Sequence, residues 1–514
     1  MKKDFRSKDW RSYLPIPIYE AHPEYNDFYK FAWELARDHV KEIPGMPQTP
    51  YMDEAFCDTQ VWIWDTCFMT LFCKFAGEVF PGVETFKNFY HVLDGEGILP
   101  AVIPTENEPF WTGAVPGQPK HIDVHIADNP PLFAWAEYEN ALIHGDSEYI
   151  KDLLYNKKSL QRHYEWVESL TESVHLPGVR LQTYRKNRGE GFLWEGAASG
   201  MDNTPRGRLG ERADAERPNN PDMLWLDAIC QQALSALSIS RLFALVGDTA
   251  EAEAWRAKYN EKKQLVNKLY WCEADSFYYD IDQKDRHFYK VATIASYWAM
   301  TAEIADSKQA QSLVERLKSP TDFGGCVPFA SLSRSDADFK ADGEYWRGGV
   351  WLPTAYATLR GLSKYGFHKE AREAAEKLLS HMHLTYKNFE PHTIWECYSP
   401  TECAPAVVAN RSEIARPDFC GWSALGPISV YIEYVLGFYS INAFENLVEW
   451  SLPEKLSGKV GIKNLRFGRV VTDIVADEKG CSVSSNEPYT LKINGSDHWI
   501  PKGESYIAFC NSER

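Results

Sequence analysis

The stretch from Asp222 to Leu269, DMLWLDAICQQALSALSISRLFALVGDTAEAEAWRAKYNEKKQLVNKL, decides the fold. Apolar residues recur at three- and four-residue spacing over Asp222–Leu245 and again over Thr249–Leu269, which predicts two amphipathic helices. Between them, Gly247-Asp248 offers a tight turn and a side chain that caps the second helix. The stretch is therefore predicted to form a helical hairpin.

The same periodicity extends over most of the chain. It predicts further helices at Asp27–Val40, Asp65–Phe75, Pro131–Ile143, Glu148–Leu170, Val291–Ile304, Lys308–Leu317, Gly349–Ser363, Lys369–Leu384 and Ser423–Phe438, with a weaker one near Thr85–Leu93. No fixed period of about 34 or 40 residues connects them, so a solenoid of uniform repeats is not indicated. We expect a mainly α fold in which helical hairpins close into a ring. The long Gly/Pro/Asn-rich segments Gly95–Asn129, Lys186–Pro221 and Asn388–Gly421 are expected to form its functional loops.

Beyond Trp450 the sequence changes to short β-prone runs. Strands are predicted at Lys459–Ile462, Arg469–Ala476, Cys481–Ser484, Tyr489–Ile493 and Tyr506–Phe509, with hairpin turns at Lys479-Gly480 and Asn494-Gly495. The predicted organisation is an N-terminal extension at residues 1–25 packed on the helical unit, the helical unit at 26–446, and a small C-terminal β-domain at 447–514. A structural cap is a more common role for such a domain than carbohydrate binding.

Composition excludes several classes of partner. The 514 residues carry a formal net charge of −17, whereas binders of nucleic acid or anionic membranes need a basic face. No run reaches about 18 apolar residues, so no membrane span is expected. The 11 cysteines show no CxxC pair and no zinc-type spacing, which favours free thiols and neither a metal nor a cofactor. An N-terminus without an apolar run predicts a cytoplasmic protein, or a periplasmic one whose signal was removed. The sequence indicates no oligomeric state.

Two carboxylic acids stand in unusual surroundings. Asp202 lies in Ala198-Ser-Gly-Met-Asp-Asn-Thr-Pro-Arg206, and Glu396 lies in His392-Thr-Ile-Trp-Glu-Cys-Tyr398. Cleavage of a glycosidic bond needs one protonated and one charged carboxyl group, which makes Asp202 a candidate general acid and Glu396 a candidate general base. Alternatively, Asp202 forms an Asx-turn or a helix cap, and Glu396 is a buried carboxylate paired with Arg347. Glu190, Glu195 and Glu344 are rival acids.

Two aromatic segments are candidates for binding a sugar. Trp64-Asp65 opens a predicted helix and places a carboxylate, which accepts hydroxyl donors, beside an indole. The alternative is that Asp65 caps that helix. The segment Tyr345–Trp351 places Arg347 beside Trp346, where the guanidinium fixes a catalytic carboxylate or forms a structural ion pair.

Taken in order, these motifs carry a family resemblance. The set Trp64-Asp65, Ser199–Asn203 with Pro205-Arg206, Tyr345–Trp351, Trp395–Tyr398 and Gly421–Pro427 resembles glycoside hydrolase family 63 and its trehalase-like relatives, particularly the branch with mannosylglycerate hydrolases. The resemblance covers roughly Tyr51 to Tyr439 and implies an (α/α)6 barrel, inversion at an α-glycosidic bond, Asp202 as acid and Glu396 as base. It implies that the sugar contacts Trp64, Asp65, Asn203, Arg347 and Trp422, to which we add Trp346 and Trp395. Ala198 is a departure, since many relatives carry Glu there.

With this resemblance, the sequence implies an inverting hydrolase of a small α-glucoside, α-mannoside or oligosaccharide, for which two carboxyl groups about 6.5–9.5 Å apart are expected. A phosphorylase on the same barrel and an inactive glycan-binding protein are the alternatives. An epimerase using His121, His125 or His392 is a third. Four loop arginines, Arg206, Arg208, Arg212 and Arg217, either recognise a charged leaving group or belong to a solvated loop.

Overall fold

The computed structural model describes residues 3–54, 60–92, 102–105, 130–171, 185–208, 220–408 and 413–509. Within these ranges the α-helices are α1 Glu24–Asp38, α2 Ile63–Cys73, α3 Phe86–Val92, α4 Phe133–His144, α5 Ser147–Lys151, α6 Ser159–Ser169, α7 Gly196–Ser199, α8 Leu226–Leu245, α9 Thr249–Leu269, α10 Trp298–Thr301, α11 Ser307–Lys318, α12 Leu352–Lys364 and α13 His368–Asn388. Two π-helices span Asp152–Lys157 and Gly426–Val435, and 3-10 helices span Trp10–Tyr13, Lys74–Ala76, Val83–Thr85, Pro205–Gly207, Ile294–Tyr297 and Ser423–Leu425.

The hairpin predicted at Asp222–Leu269 is confirmed, because α8 and α9 pack along each other. Gly247 adopts φ +83° between them, and the Asp248 carboxylate accepts the N–H of Glu251 at the start of α9. In α8, 17 of the 20 residues are buried, whereas only four residues of α9 are. The first helix is therefore internal and the second covers it.

Six of the helices in the described ranges are internal and form a closed ring. Moving around it, α2 packs against α4, α4 against α8, α8 against α10, and α10 against α12. The π-helix Gly426–Val435 then joins α12 back to α2. Outside the ring, α6 and α9 pack on α8, while α1 and α13 pack on the π-helix. The expectation of a helix-rich fold is confirmed.

Several predicted helices are shorter or of another kind. Val291–Ile304 contains only the 3-10 turn Ile294–Tyr297 and α10. The segment Glu148–Leu170 divides at Lys158, whose φ of +52° ends one helix before the next begins. Helix α12 begins at Leu352, not at Gly349, and carries a proline in its first turn, where the missing N–H costs nothing.

The strands are β1 Ile16–Tyr19, β2 Val40–Lys41, β3 Tyr51–Met52, β4 Gln60–Trp62, β5 Val102–Pro104, β6 Lys186–Asn187, β7 Phe192–Leu193, β8 Met223–Leu224, β9 Trp271–Cys272, β10 Phe277–Tyr278, β11 Asp280–Asp282, β12 Phe288–Tyr289, β13 Ser440–Asn442, β14 Leu447–Trp450, β15 Val460–Phe467, β16 Val470–Asp477, β17 Gly480–Ser485, β18 Tyr489–Ile493, β19 Ser496–Ile500 and β20 Gly503–Ala508. A small sheet, β12-β11-β8-β7-β6, was not predicted from the sequence.

The C-terminal region is rich in strands, as predicted, and its strands form two mainly antiparallel sheets. One has the order β1-β15-β16-β17-β20 and the other the order β13-β14-β18-β19. They face each other, since Phe467 of β15 packs edge-on against Tyr489 of β18 at 5.5 Å between ring centroids. Strand β1 comes from the predicted N-terminal extension and β13 precedes residue 447, so both sheets recruit strands across the predicted limits. The division into 1–25, 26–446 and 447–514 stays a prediction.

One helix in the described part of the chain, Leu226–Leu245, is long and apolar enough to cross a membrane by length and composition alone. It is also the internal helix α8, and 83% of its most apolar window is buried inside the protein. Burial of this kind is the property of a core helix.

Candidate active site

Three predicted acids come together although about 330 residues separate the first from the last. Asp65 lies in the first turn of α2, Asp202 follows α7, and Glu396 follows α13. Burial raises the pKa of the Asp65 carboxyl well above its usual value, and the charges of Glu396 and Asp202 raise it further. The pKa of the Tyr345 phenol is raised by burial and by the same two charges. The charges of Asp202 and Glu396 therefore both reach Asp65 and Tyr345.

Glu396 is buried and held from several directions. The Tyr345 hydroxyl donates to its Oε1 at 2.9 Å, and the Arg416 N–H donates to its Oε2 at 3.4 Å. Its backbone carbonyl accepts the Trp422 Nε1–H at 2.7 Å and the Ser423 hydroxyl at 3.2 Å. Burial raises the pKa of Glu396, while the Tyr345 bond and Arg416 act in the opposite direction. These contacts fix the carboxylate and keep its charged form accessible.

The turn that carries Asp202 is packed tightly against α2. Gly200 has φ +80°, and a Cβ on it would lie 3.0 Å from the Trp64 ring. Asn203 donates from Nδ2 to the Glu344 carbonyl at 2.9 Å and accepts the Trp346 N–H at 2.8 Å. The turn thus bridges the start of α2 and the segment before α12.

The aromatic residues form one connected cluster. Trp346 stacks on Trp351 with ring centroids 4.2 Å apart, and Tyr345 meets Trp351 edge-on at 4.7 Å. Trp422 contacts Trp351 at 5.7 Å and Phe419 at 4.6 Å. The cluster makes a rigid wall beside Glu396.

The predicted sugar contacts differ in burial. Trp346 and Trp395 are only 2% and 1% exposed, whereas Trp64 and Trp422 are each 6% exposed. Asp65 is not a helix cap, because Trp62 occupies that position of α2 without a side-chain cap bond. Arg347 lies 3.9 Å from Glu344 and donates from Nε to the Asn203 carbonyl at 3.4 Å. Whether these side chains contact a sugar stays a prediction.

Two arginines near Asp202 are already bound to carboxylates. Arg206 is buried and pairs with Asp227 and Asp280, each at 2.6 Å. Arg208 pairs with Asp336 at 2.7 Å and with Asp338 at 2.6 Å. The interpretation of Arg206 as part of a solvated loop is wrong, and its pairing with two carboxylates disfavours a role in recognising a charged leaving group. Arg212 and Arg217 lie outside the described residues.

The rival candidates have other partners. Glu190 pairs with Arg286, and the Glu195 carboxylate accepts the Ala198 N–H at 3.0 Å. His392 is exposed, with Nε2 3.0 Å from the Glu390 carboxylate; His121 and His125 lie outside the described residues. Among described side chains, one group could hold a metal ion, Asp282, Asp285 and His287 on a turn. Asp282 there already accepts the Tyr289 hydroxyl and the Lys284 N–H.

Sequence reasoning missed two features of this region. Glu54 is fully buried, and burial together with Asp53 and Asp65 raises its pKa well above the usual value. It precedes β4 and accepts the Trp62 N–H at 3.1 Å, but the sequence around it carries no recognisable motif. Tyr345 was inside a quoted motif, yet no spacing rule connects it with Glu396, 51 residues later.

Comparison with known proteins gives consistent matches. A sequence profile described as the mannosylglycerate hydrolase MGH1-like glycoside hydrolase domain matches residues 60–413. The chain is 22% identical over 401 residues to the mannosylglycerate hydrolase of Rubrobacter radiotolerans, covering 65% of this chain and 86% of that protein. It is 24% identical over 447 residues to a probable mannosyl-oligosaccharide glucosidase of Schizosaccharomyces pombe, and this match covers 76% of this chain and 51% of that protein.

The fold has counterparts among solved structures. The crystal structure of the family 63 mannosylglycerate hydrolase from Thermus thermophilus in complex with glucose superposes with a TM-score of 0.57 at 15% sequence identity. The match covers 78% of this chain and 99% of that one. At this identity the likeness concerns the fold.

Proposed function

Because the chain belongs to the mannosylglycerate hydrolase MGH1-like glycoside hydrolase family and is a glycoside hydrolase, we propose that it cleaves an α-glycosidic bond with inversion, using Asp202 as general acid and Glu396 as general base. The resemblance to family 63 and its trehalase-like relatives is thereby confirmed. We further propose that the closed ring of six helices and the helices outside it form an (α/α)6 barrel.

One observation carries the assignment of the two acids. The charges of Glu396 and Asp202 both raise the pKa of the Asp65 carboxyl group and the pKa of the Tyr345 phenol. An inverting mechanism needs an acid on one side of the sugar ring and a base with its water on the other, both facing one bound sugar. Two carboxyl groups whose charges reach the same two neighbours are close enough to act on one bound sugar, which supports this assignment.

The proposed roles follow from the contacts. Glu396 accepts hydrogen bonds from Tyr345 and Arg416, which stabilise the charged form that removes a proton from water. Asp202 is half-buried between buried neighbours and is the group that protonates the leaving oxygen. Inversion requires that the water attack while the leaving group departs, so neither acid forms a bond to the sugar.

Asp65 and Trp64 are proposed to hold the sugar before the scissile bond. The Asp65 Oδ1 is buried without a hydrogen-bond partner, a costly arrangement that a sugar hydroxyl would relieve. The raised pKa of Asp65 favours its neutral form, which both donates and accepts. Trp422 and Arg347 are proposed as further contacts, since they lie next to Glu396 and Asn203 respectively.

The substrate class is proposed as a small α-glucoside, α-mannoside or oligosaccharide. The names of similar proteins, a mannosylglycerate hydrolase and a mannosyl-oligosaccharide glucosidase, place α-mannosylglycerate and terminal α-glucosides first in an assay panel. A panel that also contains neutral disaccharides separates a charged from an uncharged leaving group.

The test compares Asp202→Asn and Glu396→Gln with wild type on each glycoside. Loss of either acid–base group is expected to lower kcat by about 10²–10⁴-fold while the folded structure is retained. Glu190→Gln is the matched control, because Glu190 is a half-exposed carboxylate paired with Arg286. Following the released anomer by ¹H NMR decides between inversion and retention, and rates with and without phosphate decide between hydrolysis and phosphorolysis. Full activity in either variant would remove that residue from the mechanism.

A further inference from the structure

Asn203, the residue after Asp202, has both ends of its side-chain amide engaged with one backbone segment. Its Nδ2 donates to the carbonyl of Glu344, and its Oδ1 accepts the N–H of Trp346. The residue is 3% exposed. The two bonds enclose Tyr345 between them, so the amide holds the peptide groups on both sides of that tyrosine.

The enclosed segment has an unusual backbone. Glu344 has φ +29° and Tyr345 has φ +64°, and residues with side chains seldom adopt positive φ values. Such a conformation persists only where surrounding contacts enforce it. Here the Tyr345 N–H donates to the Val407 carbonyl at 2.9 Å, and its carbonyl accepts the Trp351 Nε1–H at 3.2 Å. The Asn203 amide supplies a further restraint on both flanks.

The enforced conformation points the Tyr345 hydroxyl at Glu396. The hydroxyl donates to Oε1 at 2.9 Å, and the ring is held edge-on against Trp351. Since the pKa of Tyr345 is raised well above its usual value, the phenol remains a donor at every working pH. A continuous path of contacts thus runs from the turn of the acid to the carboxylate of the base.

We propose that Asn203 and Tyr345 are positioning residues that act as one unit, in which the Asn203 amide fixes the Tyr345 backbone and the Tyr345 hydroxyl orients Glu396. The inference rests on the proposed roles of Asp202 and Glu396. It gives Asn203 a task other than holding a sugar hydroxyl, because both amide atoms already serve the segment 344–346. It also ties the turn that carries one acid to the side chain of the other.

The proposal makes a statement about pH. Within the described part of the chain, the charged and titratable groups that interact with Glu396 are Asp65, Tyr345, Arg416 and Cys397, and the charge of Asp202 reaches two of them, Asp65 and Tyr345. Of these groups, Tyr345 and Arg416 favour the ionised form of Glu396. Removing the Tyr345 donor therefore raises the pKa of Glu396 further. The acidic limb of the pH profile of kcat/KM reports the pKa of the base, so this limb should move to higher pH. An asparagine that only supported the fold would lower activity equally at all pH values.

The experiment is a double-mutant cycle with Asn203→Ala, Tyr345→Phe and the combined variant. Each single variant is expected to lower kcat more than it changes KM and to move the acidic limb upward by about one pH unit, a typical effect of losing one hydrogen bond to a charged group. Because the two residues act together, the combined variant should be no worse than the more damaged single one. Additive losses, or an unmoved limb in Tyr345→Phe, would overturn the proposal.

Two controls keep the outcome decisive. Asn140→Ala removes another buried asparagine amide, which bonds the carbonyls of Thr70 and Ala136, and it should lower stability without moving the pH limb. Tyr345→Phe retains the ring and its packing, so it tests whether the Tyr345 hydroxyl orients Glu396 even if Asn203→Ala does not fold. If the acidic limb of the pH profile also moves in the Asn140 variant, a specific role for Asn203 is refuted.

A substrate-free titration separates this proposal from the proposed function. The pKa of Glu396 is measured by ¹³C NMR of carboxyl-labelled glutamate, with its signal assigned by its absence in Glu396→Gln. An upward shift of the Glu396 pKa in the Asn203 and Tyr345 variants supports the positioning role of these two residues, whether or not any glycoside is hydrolysed. Absence of hydrolysis would count against the proposed reaction alone. If a glycoside is hydrolysed but the pKa of Glu396 does not shift in the variants, the positioning role is rejected and the proposed reaction is retained.

Discussion

Replacing Arg206 with methionine tests how the turn of Asp202 is anchored. Arg206 donates four hydrogen bonds of 2.6–2.9 Å to Asp227, in the first turn of α8, and to Asp280 of β11. The guanidinium also lies over the Trp225 ring at 4.5 Å. All three charged side chains are at most 3% exposed. The substitution keeps an unbranched side chain but leaves two buried carboxylates without their cation.

The size of the effect follows from that burial. Removing one partner of a buried ion pair costs about 3–5 kcal/mol, because the remaining charge is left uncompensated. An unfolding entropy of about 2.1 cal/mol/K per residue gives roughly 1 kcal/mol/K for this chain, so the melting temperature should fall by about 3–5 °C. Arg286→Met, which breaks the half-exposed pair with Glu190, should cost less than about 1 kcal/mol.

The pH dependence identifies the cause. Burial already raises the pKa of Asp280, and Arg206 is the largest opposing influence. Without Arg206 the folded Asp280 carboxyl holds a proton that the unfolded chain releases above about pH 4, so the deficit in unfolding free energy relative to wild type grows as pH rises from there. Calorimetry at about pH 5 and about pH 8 measures it. Adding Asp227→Asn and Asp280→Asn should restore most of the stability. A deficit below about 1 kcal/mol, or one that is equal at both pH values, would refute the reasoning.

Two further predictions concern Glu137 and Gly200. The buried Glu137 accepts the hydroxyls of Tyr90 and Tyr149, and burial raises its pKa to about 7. The folded state therefore binds the extra proton between about pH 4.5 and 7, and unfolding free energy falls by about 3 kcal/mol as pH rises through that window. Urea unfolding should show this decline weakened in Glu137→Gln, and an unchanged decline would contradict it. Gly200→Ala places a Cβ 3.0 Å from the Trp64 ring at φ +80° and should reduce kcat/KM by about 10²-fold. Gly247→Ala, with φ +83° and no atom within 4 Å, imposes similar backbone strain without the contact, so equal losses in both variants would exclude the ring contact as the cause.

The sequence predicted the helical body well because its signal is local. In α8 and α9 the spacing of apolar residues, the turn glycine and the capping aspartate agree, and the hairpin forms as expected. Prediction failed where tertiary contacts override that signal. The small sheet β12-β11-β8-β7-β6 uses strands of two or three residues, too short for any periodicity. Strand β1 pairs with β15 across about 440 residues, a contact that no local pattern encodes.

The same distinction applies to the site. Asp202 and Glu396 are predicted as the catalytic pair because flanking glycine, proline and tryptophan residues make their segments unusual, and in the structure the charges of both raise the pKa of Asp65. The role of Tyr345 depends on φ values and on a hydrogen bond between segments 51 residues apart. The prediction of a solvated loop was wrong for Arg206 because a run of arginines and acids has the composition of an exposed surface. Its partners Asp227 and Asp280 come from α8 and β11, which the local sequence does not indicate.

The contacts around Glu396 resolve a conflict inherent in the proposed chemistry. Excluding water strengthens electrostatic interactions with the reacting sugar, but it also raises the pKa of the group that must be ionised to act as base. If burial acted alone, the pKa of the proposed base would be raised further, which favours its protonated form. The Tyr345 hydroxyl and the Arg416 N–H offset part of that effect without admitting water. Since Tyr345 itself has a strained backbone that Asn203 contacts on both sides, the proposal makes the ionisation of Glu396 depend on the turn that carries Asp202.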